Sequence, residues 1–155
     1  HTNSAIEAID RLVNMWVKSY MLSPSLNLVI GQRLVRKVCP FCVTKKDPDY
    51  SELAEITESV RKINDVDPMQ KLDEHTQIPQ IVGCDHCSGT GYIGRMALLE
   101  VFEVSEDIKK MIVEGKTAVD IYGKARESGY LTMKEDGILK AIKWYTTIQE
   151  VLKVI

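Results

Sequence analysis

The four cysteines are the most informative chemical feature of this chain, because they are grouped instead of scattered. They form two C-x-x-C pairs, Cys39/Cys42 and Cys84/Cys87. A C-x-x-C turn points two thiolates at one ion, and two such turns supply the four soft ligands that tetrahedral Zn²⁺ prefers. The sequence therefore predicts a structural zinc site made of Cys39, Cys42, Cys84 and Cys87.

Other interpretations of the cysteines stay open at this stage. Two disulfides would suit an oxidising compartment, although no secretion signal is visible and a chain of 155 residues does not need bridges to fold. A redox pair needs one C-x-x-C near a helix start, and an iron–sulfur centre also uses cysteine ligands. His75 and His86 lie nearby in the sequence. Since four thiolates already complete a zinc shell, we expect both histidines to be bystanders.

The basic run at residues 32–37 is the first candidate for phosphate binding. It contains Arg33 and Arg36, and the planar fork of arginine is a frequent partner of phosphate. A solvated basic face is the simpler explanation of such a run. Both interpretations are kept here.

A second phosphate-binding candidate fails on inspection. Residues 115–117 read Gly-Lys-Thr, like the end of a Walker A loop, but Lys110 occupies the position of the first glycine of that motif. A helix end followed by a new helix start explains the tripeptide. The sequence also contains no G-x-S-x-G elbow and no H-E-x-x-H helix. On its own residues the chain lacks the parts of a self-sufficient enzyme.

Composition places the chain among ordinary globular proteins. It has 155 residues, 45% hydrophobic and 27% charged, with a formal net charge of -2. This length fits one domain, or one domain with a small appendage, and the near-balanced charge argues against a nucleic-acid binder. No apolar run approaches the length needed to span a bilayer. The chain begins at His1 without an initiator Met or a signal peptide, so we expect it to be a piece of a longer protein.

Capping and turn signals predict the elements before the second cysteine pair. Ser4-x-x-Glu7 opens a first helix, and Ser23-Pro24 starts a second helix that runs to Gly31. A short strand over residues 34–38 then leads to the first cysteine pair. One further helix is predicted from the apolar residues that share a face, which are Leu53, Ile56, Val60 and Ile63.

After that helix, the pattern predicts an irregular loop over residues 65–77 and a short strand over 78–82. Residues 92–104 read as the best strand of the chain, although 96–99 could also be helical. Four helices then follow with short joints, and we expect them to form a compact bundle. Their start signals are Ser105, Thr117, Thr132 and Thr147.

Read in order, these segments resemble one family, the GspE/PilB secretion ATPases. Residues 1–3 and 8–12 resemble the His box of that family and the helix after it. Residues 32–42 resemble the start of the tetracysteine metal subdomain of the family, and residues 83–95 resemble its end. Glu100-Val101 resembles the strand that follows in the family. The end of the family's chain is resembled at Met133, Asp136-Gly137, Ala141, Thr146-Thr147 and residues 150–154. Trp16 departs from the family pattern, which often has Gly at this position.

The resemblance implies an α/β fold: the C-terminal portion of a RecA-like P-loop ATPase with an inserted tetracysteine zinc subdomain and a C-terminal helical bundle. The implied divisions are the lower part of the RecA-like domain (1–38), the zinc subdomain (39–91), a strand returning to the RecA-like sheet (92–104) and the helical subdomain (105–155).

The resemblance also implies a function: part of a hexameric motor ATPase that couples ATP hydrolysis to type II protein secretion or type IV pilus assembly. The Walker A and Walker B motifs of the family lie upstream of the His box, so this chain by itself is expected to be inactive. His1 would be catalytic, near the γ-phosphate, and Arg33 and Arg36 would contact nucleotide. The alternative is a zinc-stabilised protein-interaction module without activity of its own.

Cofactors, partners and location follow from the same resemblance. It implies structural Zn²⁺ here, with ATP and Mg²⁺ in the full-length protein. The partners would be further copies in a homo-hexamer, an inner-membrane platform protein and other assembly components, without direct contact to nucleic acid and without a transmembrane segment. The location would be cytoplasmic, peripheral to the bacterial inner membrane. Secretion, pilus extension and DNA uptake all stay possible.

Overall fold

The computed structural model describes residues 4–66 and 77–155, which form a mixture of helices and strands. The elements up to the middle of the chain are α1 (Glu7–Asn14), α2 (Ser19–Ser25), β1 (Leu28–Val38), β2 (Thr44–Lys46) and α3 (Tyr50–Val66). The later elements are β3 (Ile78–Gln80), β4 (Tyr92–Glu103), α4 (Glu106–Val113), α5 (Ala118–Glu127), α6 (Met133–Ile142) and α7 (Ile148–Leu152). The predicted α/β class is confirmed at this level.

The described strands form two sheets of two strands each. β1 pairs with β4, and β2 pairs antiparallel with β3. In the second pair Thr44 lies opposite Gln80 and Lys46 lies opposite Ile78. No described helix has the combination of length and apolar character that crossing a membrane would require.

The chain divides into two compact units. The first unit comprises the residues up to Gly31 together with Glu100–Thr132, and the second comprises Gln32–Leu99 together with Met133–Ile155. All four cysteines belong to the second unit, which is therefore called the cysteine unit below.

A single apolar cluster forms the core of the first unit. Two helices of this unit, α4 and α5, begin at side-chain caps. Ser105 Oγ accepts from the Ile108 N–H, and Thr117 forms a reciprocal capping box with Asp120. The buried members of the cluster include Ile6, Ile9, Leu22, Phe102, Ile108, Ile121 and Tyr130.

Two smaller apolar clusters share the interior of the cysteine unit. One joins α3, β3, α6 and α7 through Ile56, Val60, Ile78, Ile138, Ala141 and Ile148. The other joins β1, β4, α6 and α7 through Val35, Leu98, Met133 and Val151. The predicted inner face of α3 is confirmed for Ile56, Val60 and Ile63. Leu53 departs from the prediction, since 36% of its surface is exposed.

The predicted helix from Ser23-Pro24 to Gly31 is wrong. The helix begins earlier, at Ser19, and Pro24 lies near its end. Residues 28–31 already belong to β1, so the strand that leads to the first cysteine pair is longer than predicted. The β-branched Val29 and Ile30 favour the extended chain, and β1 pairs with β4.

The other segment predictions mostly hold. β4 confirms the strand at 92–104 and removes the helical alternative for 96–99. β3 ends at Gln80, two residues before the predicted end at Val82. Residues 65 and 66 belong to α3, and the rest of the predicted loop at 65–77 lies largely outside the described residues.

All four helices predicted after Ser105 are present, as α4, α5, α6 and α7. The first two belong to the first unit and the last two to the cysteine unit. Within each unit the two helices contact one another. The RecA-like fold and the compact bundle stay predictions.

Candidate metal centre

The four cysteine sulfurs converge on one point. All four Sγ atoms lie within 4.8 Å of one another, and three Sγ–Sγ distances are 3.8 Å: Cys39 to Cys84, Cys42 to Cys87, and Cys84 to Cys87. A tetrahedron with zinc–sulfur bonds of about 2.3 Å has edges of about 3.8 Å. The residues therefore fit one tetrahedral Zn²⁺, and the group is called the cysteine centre below.

The same distances decide against the disulfide interpretation. A disulfide requires sulfurs about 2.04 Å apart, whereas the closest pairs are separated by 3.8 Å and all four cysteines are free thiols. An iron–sulfur cluster is also a poorer fit, because its cysteines bind more than one iron atom and their sulfurs are spread accordingly. The geometry is that of a site for a single ion.

The first C-x-x-C turn begins directly where β1 ends. Cys39 follows Val38, the last residue of the strand, and its side chain is fully buried. The Cys39 N–H donates to the Gly91 carbonyl oxygen over 2.8 Å, and the Val43 N–H donates to the Cys39 carbonyl oxygen over 3.1 Å. These bonds fold the segment back on itself and bring Cys42 beside Cys39.

The second C-x-x-C turn is a short 3₁₀ turn at Asp85–Cys87. The turn is closed by glycines that no other residue could replace without strain. At Gly83, with φ of 98°, an added Cβ would lie 2.5 Å from the Gly89 carbonyl oxygen. At Gly91, with φ of 75°, it would lie 1.8 Å from Ile81 Cγ2. The segments around Gly83, Gly89 and Gly91 can lie this close together only because Gly83 and Gly91 have no side chain.

Backbone N–H groups point at one of the sulfurs. Cys87 Sγ accepts from the Cys84 N–H over 3.2 Å and from the Gly91 N–H over 3.1 Å. Desolvation raises the pKa of the Cys87 thiol, but these N–H donors outweigh it and lower the pKa to about 6. Desolvation raises the pKa of Cys42 to about 12. The N–H donors thus favour the thiolate form of Cys87, and a bound cation would supply the charge that ionises the other thiols.

Of the two histidines near the cysteine pairs in the sequence, only His86 lies among the described residues. The His86 ring stacks on Phe41, with centroids 4.3 Å apart and planes 25° apart. Within the described residues the converging group contains cysteines only, so His86 is a neighbour of the site and is not part of it. His75 lies outside the described residues.

The two arginines that are predicted to contact nucleotide have different bonding partners. Arg36 donates to Glu150 through both Nε (2.8 Å) and Nη2 (2.6 Å), and its guanidinium lies 4.1 Å from the centroid of the Tyr92 ring. Arg33 is exposed, and its Nη1 donates to the carbonyl oxygen of the neighbouring Gln32. His1 lies outside the described residues. Their nucleotide roles stay predictions.

Comparison with known proteins decides the family. The chain matches the family described as "Type II/IV secretion system protein" over residues 1–153. The chain belongs to this family.

Individual members of the family agree along almost the whole chain. It is 39% identical over 152 residues to the type IV pilus assembly ATPase PilB of Thermus thermophilus, covering 98% of this chain and 16% of that protein. It is 35% identical over 154 residues to PilB of Pseudomonas aeruginosa (99% and 25%). It is 30% identical over 154 residues to the type II secretion system protein HxcR of the same organism (99% and 27%). The predicted relation to GspE/PilB-type traffic ATPases is confirmed, and the chain spans between 16% and 27% of these three relatives.

Two buried carboxylates in this member of the family were not predicted as site residues. The Glu150 N–H donates to Thr147 Oγ1 at the start of α7, and the Glu150 carboxylate also binds Arg36. Glu52 is 4% exposed and accepts from Lys46 Nζ over 2.7 and 2.8 Å. The sequence carried a signal for Glu52, since Asp49-x-x-Glu52 is a capping pattern. No local signal reveals that Arg36 and Glu150 meet.

Proposed function

We propose that this chain is a segment of a traffic ATPase, a motor that couples ATP hydrolysis to type IV pilus assembly or type II protein secretion. The main support for the proposal is that the chain matches the family over residues 1–153 and also contains a tetrahedral group of four cysteines. The relatives are named as pilus assembly ATPases and as type II secretion proteins, and both processes stay candidates.

Within this proposal the cysteine centre binds structural Zn²⁺. Cys39 and Cys42 would hold the ion from the first turn, and Cys84 and Cys87 from the second. Four thiolates close the coordination shell, which is typical of structural sites, whereas catalytic zinc keeps an open position. Zinc supplies a cross-link between the two turns, and its binding free energy of about 10–16 kcal/mol adds directly to folding.

The motor chemistry would lie mostly in other parts of the protein. Phosphoryl transfer depends on positioning and on stabilising the charge of the γ-phosphate, and this chain lacks a Walker A loop. We propose that it adds His1 and an arginine to a nucleotide site with ATP and Mg²⁺. Both arginines are exposed, and Arg33 is the better candidate because its guanidinium bonds to a backbone carbonyl oxygen, whereas the Arg36 guanidinium is paired with the Glu150 carboxylate.

The remaining features of the proposal follow from the family relation. The protein would have a RecA-like domain, assemble as a homo-hexamer and act in the cytoplasm against an inner-membrane platform protein. The formal net charge of -2 gives no reason to add a nucleic-acid partner.

Metal analysis tests the zinc part of the proposal. The purified 155-residue chain should contain about one Zn²⁺, and Cys39→Ser should lose it, because three thiolates no longer close the shell. Thr57→Ala, on the exposed side of α3, is the matched control and should keep the metal. Metal-free protein with four reduced thiols after folding in zinc would contradict the proposal.

Two further measurements test the motor part. The 155-residue chain should show no measurable affinity for ATP in a binding titration, and stoichiometric binding would contradict the proposal that the phosphate-binding loop lies elsewhere. In the source organism, deletion of the gene should abolish surface pili or the secretion of a set of proteins. A deletion strain with normal pili and normal secretion would favour the alternative, an interaction module without motor function.

A further inference from the structure

Both flanks of the cysteine centre contact the same short segment near the end of the chain. The Val38 N–H, one residue before Cys39, donates to the Tyr145 carbonyl oxygen over 3.0 Å. Thr146 Oγ1 donates to the Arg36 carbonyl oxygen over 2.8 Å. On the other flank, the Tyr92 hydroxyl lies 3.1 Å from Thr147 Oγ1. The residues that lead to and from the sulfurs are thus tied to the start of α7.

Side chains close these ties into a ring, called the clamp below. It consists of Arg36, Tyr92, Thr147 and Glu150. Arg36 makes two bonds to Glu150 and lies over the Tyr92 ring. Tyr92 meets Thr147, whose Oγ1 accepts from the Glu150 N–H over 3.3 Å. One member of the clamp stands on each flank of the cysteine centre, and two stand at α7.

The clamp matters to α7 because this helix is too short to be stable by itself. It has five residues, far fewer than the roughly 12–15 that an isolated helix needs even to be marginal in water. Its order must come from contacts, through buried Ile148 and Val151 and through the clamp. The Glu150 side chain is only 8% exposed, so it cannot simply exchange Arg36 for bulk water.

The clamp also depends on the spacing of the two flanks. Arg36 and Tyr92 approach each other where β1 leads to Cys39 and where β4 begins after Gly91, and the Cys39 N–H joins these flanks by its bond to the Gly91 carbonyl oxygen. A metal ion that bridges both cysteine pairs fixes the same spacing from the other side. Loss of the ion would remove that restraint from both sides of the clamp.

We propose that the cysteine centre and α7 form one cooperative unit, in which metal occupancy controls the order of α7 through the clamp. This inference rests on the proposed function, since it requires that the four cysteines bind a metal. Coupling between two sites is reciprocal. Zinc binding therefore orders α7, and an intact clamp strengthens zinc binding.

Hydrogen exchange on the whole chain, zinc-loaded and zinc-stripped, tests the first direction. Zinc removal should speed the exchange of α7 amides by at least about 10-fold. The amides of α5, which belongs to the first unit, serve as the internal control and should change little. If zinc never binds, the zinc part of the proposed function fails. If zinc binds but α7 exchange does not respond, or if α5 accelerates equally, the coupling is refuted and the metal site stands.

Clamp variants test the reverse direction. Arg36→Gln should weaken the zinc affinity by about 10-fold in an equilibrium competition with a chelator, since it removes one side of a reciprocal coupling, and should loosen α7 even at full zinc occupancy. Arg33→Gln is the matched control on the same strand, because the Arg33 guanidinium bonds only to the neighbouring Gln32 carbonyl oxygen among the described residues. Equal zinc affinities in both variants would overturn the proposal. Circular dichroism of the zinc-loaded variants checks that both are folded.

Discussion

The two units are stabilised by different means. The first unit has one continuous apolar cluster built from α1, α2, α4, α5 and the end of β4. The cysteine unit has two smaller clusters, and it adds the cysteine centre and two buried carboxylates that form ion pairs, Glu52 and Glu150. The first unit also contains a buried carboxylate, Glu100, which accepts from the Tyr130 hydroxyl. Hydrophobic burial responds weakly to pH and to chelators, whereas thiolates and carboxylates respond strongly. We therefore expect pH, chelators and single substitutions to change the stability of the two units to different extents.

The largest expected effect of a single core substitution lies in the first unit. Phe102 is 1% exposed, and its ring meets Tyr130 edge-on with centroids 5.9 Å apart. Phe102→Ala should destabilise the protein by about 3–5 kcal/mol, because a cavity replaces the ring. Urea unfolding followed by circular dichroism measures the loss.

The control for this substitution is Val119→Ala in the same unit. Val119 is 79% exposed, so its truncation should change the free energy of unfolding by less than about 0.5 kcal/mol. The zinc content of Phe102→Ala should stay at the wild-type level. If Phe102→Ala released zinc from folded protein, the metal site would depend on the core of the first unit, and the two units would not be stabilised independently.

The sequence alone supports a large part of this comparison, and the parts that it misses have a common reason. C-x-x-C spacing and the caps at Ser105 and Thr117 are local patterns, so the metal centre and the helix starts could be predicted. The approach of Arg36 to Glu150 joins residues far apart in the chain. No local pattern encodes it, so the sequence indicated only that Arg36 is charged, either as part of a solvated basic face or as a phosphate ligand, and the nucleotide role stays a prediction.

The misplaced helix near Ser23 shows a second limit. Both signals were real, because Pro24 does lie in a helix and Val29 and Ile30 do favour strand. Local propensities are weak compared with packing. Residues 28–31 became strand because the segment pairs with β4, and pairing with a strand that comes much later in the sequence cannot be deduced from a start signal.

Acid should destabilise the cysteine unit by protonating Glu150. Its hydrogen bonds to Arg36, helped by Lys153, outweigh desolvation and hold the pKa of the carboxyl at about 2. A carboxyl whose pKa is lower in the folded state stabilises the protein above its unfolded pKa, and this contribution disappears as pH falls from about 4.5 toward 2. Allowing for the half-exposed Arg36, we expect a contribution of roughly 2 kcal/mol at neutral pH.

Glu150→Gln isolates that contribution, since it keeps the size of the side chain and removes its charge. The variant should be less stable than the wild type at pH 7, and the difference should shrink as pH falls through the range 4.5 to 2. Both proteins are compared at the same zinc occupancy, because loss of zinc is itself expected to loosen α7. Urea unfolding at several pH values measures the difference. A difference that stays constant down to pH 2 would show that the ion pair does not stabilise the cysteine unit.

The last prediction compares the substitution of alanine for two helical glycines, one in each unit, by its effect on the free energy of unfolding. In α6 of the cysteine unit, a Cβ added at Gly137 would lie 2.4 Å from Val151 Cγ1 and 3.2 Å from Leu98 Cδ1. In α5 of the first unit, a Cβ added at Gly123 would meet nothing within 4 Å. Alanine favours a helix over glycine by about 1 kcal/mol at either position. The neighbours decide whether that gain is kept.

Gly123→Ala should therefore raise the free energy of unfolding by about 0.5–1 kcal/mol. Gly137→Ala should lower it by about 1–3 kcal/mol, because overpacking forces Val151 and hence α7 away from α6. If Gly137→Ala were as stabilising as Gly123→Ala, the contact between α6 and α7 would have room to spare. Close packing would then not be what holds α7, and its order would depend on the clamp and the metal instead.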